Sequence, residues 1–103
     1  MIIVNSVNNI PIRLSQERWN HIVHRHPEME NQKDQLLETL KKPDKIQEGD
    51  FETLLAIRFF DNTPLTSKFL VVVYKEIKER DGFVLTAYYT TRPSERRKVI
   101  WRQ

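Results

Sequence analysis

The sequence predicts an α+β domain in which N-terminal helices pack on a C-terminal antiparallel β-sheet. Three observations carry that expectation. Apolar residues between positions 15 and 41 recur at helical spacing, and a proline follows each of the two runs. Between 51 and 91 the chain changes to three apolar, β-branched and aromatic runs joined by short links. At 103 residues, 39% of them hydrophobic, the chain has the size and the apolar content for one core. A single domain over residues 1–103 is expected.

Residues 2–6 and 10–14 flank Asn8-Asn9, and asparagine tolerates the positive φ of a tight turn, so a short N-terminal hairpin is expected. Ser15 reads as the N-cap of a helix running to about residue 25, with Glu17 near its positive end. Trp19, Ile22, Val23 and His26 form its buried stripe, and Pro27 closes it. A second helix is expected from about Glu30 to Lys41, with Leu36, Leu37 and Leu40 facing inward and Pro43 as its stop. Strands follow at about Phe51–Phe60, Lys68–Ile77 and Phe83–Thr91. Asp81-Gly82 signals a turn between the last two, and Asp61–Ser67, with Pro64, links the first two. Such short links force antiparallel neighbours, because a parallel connection needs a crossover of about a dozen residues.

Alternation along the strands separates two faces. One collects Phe51, Leu55, Ile57, Phe59, Phe69, Val71, Val73, Ile77, Phe83, Leu85 and Ala87, and is expected to pack on the helices. The other collects Arg58, Tyr74, Glu76, Thr86, Tyr88 and Thr90, with Arg92 continuing the same phase. A solvated sheet face has such mixed polarity. This one also groups phosphate-binding donors with rings on which a base can stack.

Of the 17 lysines and arginines, Arg92, Arg96, Arg97, Lys98 and Arg102 fall within residues 92–103, against Glu95 alone. A basic tail on a nearly neutral body suits a polyanion or an acidic partner, and a solvated terminal segment accounts for it equally simply. Val99, Ile100 and Trp101 form an apolar run expected to dock, which would present Arg96 and Arg97 beside Arg92. The absence of cysteine excludes disulfides and thiolate chemistry. No apolar stretch reaches the roughly 18–20 residues of a membrane span, and no signal peptide is evident, so no membrane partner and a cytoplasmic location are expected. Phosphate-loop, nucleotide-binding glycine and serine-nucleophile motifs are absent from the sequence.

His21, His24 and His26 fall within six residues. Histidine titrates near neutrality and suits proton transfer. His21 shares a helix face with His24 and with Arg25, whereas His26 belongs to the Trp19 stripe at the helix end. A core or surface role is the commoner one for any single histidine, but the cluster is harder to set aside. A zinc site is a rival, since His-x-x-His-x-His with Glu28 has enough donors. Against zinc, His26 points away from the other two on a regular helix, and there is no second ligand cluster.

The segment Glu17-Arg18-Trp19-Asn20-His21-Ile22-Val23-His24-Arg25-His26-Pro27-Glu28, then Leu37-Glu38-Thr39-Leu40-Lys41-Lys42-Pro43-Asp44-Lys45-Ile46, then Val84-Leu85-Thr86-Ala87-Tyr88, resembles the phage-associated members of the barnase–EndoU–colicin–RelE (BECR) nuclease superfamily. The resemblance covers about residues 17–92. It implies helices on a curved antiparallel sheet and RNA cleavage without metal or other cofactor. On it, His21 and His26 are candidate proton carriers, Arg25 and Arg92 stabilise the phosphate, and Thr86 and Tyr88 line the cleft. Arg58, Tyr74, Thr90, Arg96, Arg97 and Lys98 are the candidate RNA-binding residues of the open face and tail. A small endoribonuclease, the toxin of a toxin–antitoxin pair, is the expectation, with RNA and a cognate antitoxin as partners. A non-catalytic RNA- or protein-binding module of the same fold is the alternative, and a metal-binding accessory protein a third.

Overall fold

Asn9 adopts φ 62° and turns β1 (Ile2–Asn5) antiparallel onto β2 (Pro11–Leu14), as the paired asparagines predict. The structure is a computed structural model describing every residue except 64 and 67. Ser15 then caps α1 (Gln16–Arg25), its Oγ accepting from the Arg18 N–H at 3.0 Å. Pro27 ends the helix and opens one 3-10 turn through Met29. The second helix, α2 (Lys33–Lys41), begins later than its periodicity indicates, because Asn31 takes φ 66° and breaks the helical path.

Among the described residues seven strands form one sheet, ordered β1-β2-β6-β5-β4-β3-β7. Its centre is the expected antiparallel meander of β4 (Leu54–Phe59), β5 (Phe69–Lys78) and β6 (Asp81–Thr90). Pro64 and Ser67, read as part of the β4–β5 link, lie outside the described residues. Two short strands extend the meander, β3 (Lys45–Glu48) beside β4 and β7 (Val99–Arg102) beside β3. Trp101 pairs with Ile46, so the C-terminal apolar run docks as a strand. The N-terminal hairpin joins the other side through a parallel pairing of Ile12 and Arg13 with Gly82 and Phe83. Both helices and three strands lie between these partners in the chain, the long crossover that a parallel pair requires.

Two expectations are corrected. Lys78 pairs with Asp81, so Glu79-Arg80 makes the turn and Asp81-Gly82 lies inside β6. Gly82 has a packing role there: a Cβ would stand 2.5 Å from the Lys75 carbonyl oxygen and 2.6 Å from Ile12 Cδ1. The second correction concerns which face the helices cover. Leu54, Ala56, Leu70, Val72, Tyr74, Val84, Ala87 and Tyr89 face α1 and α2, packing with Ile12, Leu14, Trp19, Ile22, Met29, Leu36 and Leu40. Leu55, Ile57, Phe69, Val71, Val73 and Tyr88 cluster on the opposite face. Phe51, Phe59 and Ile77, expected in the core, are exposed. Both faces of β4 and β5 are apolar, which is why alternation could not choose between them.

In β6 the phase changes. Val73 pairs with Thr86 but Tyr74 with Val84, so Leu85 is bulged. Beyond the bulge Ala87 faces the helices, while Thr86, Tyr88 and Thr90 lie on the second face, as expected for these four.

Candidate active site

The second face is crossed by residues 91–98. This strap leaves β6 beside the Thr90–Phe69 pair and enters β7 at Val99, opposite Gln47 near the other end of the sheet. Gln47, buried beside Leu55, donates from Nε2 to the Ser94 carbonyl at 2.7 Å and ties the strap down. The Glu48 N–H donates to the Lys98 carbonyl at 2.9 Å. Beneath the strap Ile57 and Val71 are buried, although α1 and α2 pack on the other face.

Strand β2 pairs with β6 only at Gly82 and Phe83, so α1 takes over as the neighbour of β6 beyond the bulge. Arg18 donates from Nη1 to the Leu85 carbonyl at 3.2 Å, a carbonyl at the bulge. Helical spacing puts His21 and Arg25, three and seven residues on, along the flank that Arg18 anchors. At the end of α1, His26 reaches around the sheet edge. Its ring centroid lies 5.8 Å from that of Tyr88, tilted by 36°. Its Nδ1 faces Glu28 Oε2 at 3.8 Å, and its backbone N–H donates to the Ile22 carbonyl at 2.7 Å.

The strap supplies positive charge from the other direction. Arg97 donates from Nη1 and Nη2 to both carboxylate oxygens of Asp50, at 3.2 and 3.3 Å. Those hydrogen bonds and the Asp50 charge, with a smaller contribution from Tyr88, hold Arg97 even more firmly in its charged form. The same pair pulls the Asp50 carboxyl below its usual range. His26, just past the end of α1, thus meets Tyr88 of β6, and the strap carries Arg97 over the face on which Tyr88 lies.

The remaining sequence-identified residues divide into four groups. Thr86 and Thr90 share the Tyr88 face, and the Thr90 hydroxyl turns the chain into the strap by donating to the Arg92 carbonyl at 3.2 Å. His21, Arg25, Arg92, Arg96 and Lys98 are exposed. His24 lies on another flank of α1, in a shallow depression with Trp19, Val23 and Asn31. Tyr74 and Arg58 lie on the other face. Tyr74 is 1% exposed among the helix-facing residues, and burial pushes its phenol well above the usual tyrosine range. Arg58 caps α2, donating to the Lys42 carbonyl at 2.6 Å with Glu38 at 3.4 Å.

Asp50 and Gln47 belong to the site or its frame and were not singled out from the sequence, whereas Glu28 was read only as a donor of the rival zinc site and Phe51 only as a core residue. Gly49-Asp50 is a turn signal that was available. Its neighbour Phe51 instead reads as the first residue of a strand. Among the described residues, no group of three or more His, Cys, Asp or Glu side chains is arranged to hold a metal ion. Nor is any helix long and apolar enough to cross a membrane. No known protein family, curated protein or solved structure matches the chain.

Proposed function

We propose that this chain is a small endoribonuclease that cleaves RNA without a metal ion. The observation that carries the reading is the His26–Tyr88 contact, which brings a proton carrier from the helical layer to the second face of the sheet. In the proposed reaction the ribose 2′-hydroxyl loses its proton and attacks the adjacent phosphorus. The bond to the 5′-oxygen breaks, and that oxygen takes up a proton. A 2′,3′-cyclic phosphate and a 5′-hydroxyl result. His26 handles one of the two protons, with Nδ1 turned to Glu28 and Nε2 left for substrate. His21, about 7.5 Å further back along the helix axis, is the candidate for the other. Arg97, Arg25 and Arg92 offset the charge that builds on the phosphate, and Thr86 and Tyr88 line the cleft. The toxin reading, with a cognate antitoxin as partner, rests on the resemblance to the BECR nucleases.

One observation favours the non-catalytic alternative: Asp50 already occupies the Arg97 guanidinium. Incubation with total RNA in EDTA separates the two readings. Cleavage by the wild type that is lost in His21→Ala/His26→Ala supports the enzyme. Retention of RNA without cleavage by both proteins supports the binding module.

A further inference from the structure

Phe51 is 89% exposed, the most exposed large apolar side chain among the described residues. Its backbone is also unusual, with φ 55° and ψ 43°, and Glu52 follows at φ 62°. Two consecutive residues in the left-handed region each cost about 1–2 kcal/mol. A phenylalanine there would ordinarily recover the cost by burial, and this ring is not buried.

The turn is held firmly all the same. The Gly49 N–H donates to the Thr53 carbonyl at 2.8 Å, and the Thr53 hydroxyl to the Asp50 carbonyl at 2.7 Å. Arg97 grips Asp50 with two hydrogen bonds. The exposed ring is therefore presented by a rigid turn, one residue from the carboxylate that holds the Arg97 guanidinium.

We infer that Phe51 is a stacking platform for a nucleobase next to the phosphate bound at Arg97, and that the substrate is single-stranded RNA. The inference deepens the proposed function and rests on it. An exposed ring one residue from the aspartate that holds a guanidinium matches what an unpaired nucleotide offers, one flat apolar face and one phosphate. In a duplex both faces of each base are already stacked, so Phe51 has nothing to engage. Strain tolerated at an exposed residue is consistent with a functional position.

The test measures binding to a fluorescent 2′-fluoro RNA of about ten nucleotides, which lacks the attacking hydroxyl, single-stranded and in duplex. Phe51→Ala is expected to weaken single-strand binding between about 5- and 150-fold and to leave duplex binding unchanged. Phe51→Trp should bind the single strand as well as the wild type. Phe51→Gly should lose affinity like Phe51→Ala while its thermal midpoint rises, since glycine accepts the left-handed backbone. If the wild type binds neither RNA, the RNA reading and the stacking assignment fall together. If the wild type binds and Phe51→Ala matches it, or weakens on both RNAs alike, the stacking assignment alone falls.

Discussion

The His26 and Tyr88 rings meet across the edge of β6, 5.8 Å apart, although α1 packs its Trp19 and Ile22 on the opposite side of the sheet. Two features make the meeting possible. The parallel β2–β6 pairing stops at Phe83, and the bulge at Leu85 shifts Tyr88 onto the second face. Backbone hydrogen bonds to Ile22 and from Met29 fix His26 independently of its ring. Its substitution should therefore remove chemistry without unfolding the chain.

Arg58 tests the corrected face assignment. Its guanidinium caps α2 and lies away from Tyr88, so Arg58→Ala should cost about 1–3 kcal/mol of stability. RNA affinity, measured well below the lowered thermal midpoint, should remain that of the wild type. A loss of affinity in a fully folded Arg58→Ala protein would place this arginine back in the RNA site.

Tyr74 gives a pH dependence with a definite sign. Burial, with a smaller contribution from Glu76, raises its folded-state pKa above the usual value of 10. The neutral phenol's contribution is thus complete below pH 10 and is lost as pH rises beyond it, because only the unfolded chain ionises there. Tyr89 acts in the same direction, its hydroxyl donating to Gln32 Oε1 at 2.7 Å. Denaturant titrations should show stability falling above about pH 10, and falling less steeply in Tyr74→Phe. Equal slopes in the two proteins would show that Tyr74 is not the group responsible.

Much of this architecture is legible in the residues. Ser15, Pro27 and Asn9 mark a cap, a stop and a turn through local sterics and hydrogen bonds, which act without knowledge of the rest of the fold. The helix-facing side of β4 and β5 is different, because Leu54–Ile57 and Leu70–Tyr74 are apolar at every position. Only the strap over the second face explains why both sides can be buried. The four-residue β3 forms by pairing with β4 and β7, and β7 by pairing with β3, so neither carries a periodic signal. Within the candidate site, His26 and Tyr88 were visible as residue types. Asp50 was not, since its role exists only where the strap brings Arg97 to it.

The strap arginines should act by neutralising phosphates. Changing Arg96, Arg97 and Lys98 to Ala should weaken binding similarly for unrelated single-stranded RNAs. The salt slope of log affinity should flatten by up to about 0.7 for each phosphate that is no longer neutralised. Arg97→Ala alone should carry part of that change, because phosphate has to compete with Asp50 for its guanidinium. An unchanged slope in the triple variant would assign the basic tail to solubility or to a protein partner.

Single-turnover cleavage of a short RNA in EDTA by wild type, His26→Ala, Tyr88→Phe and the double variant tests most directly whether His26 carries a proton at the face that Tyr88 lines. A 2′,3′-cyclic phosphate product is expected, with a loss of about 10²–10⁴-fold in His26→Ala. The double variant should be no slower than His26→Ala, as for residues that act together. Wild-type cleavage rates in a folded His26→Ala protein would contradict that role for His26.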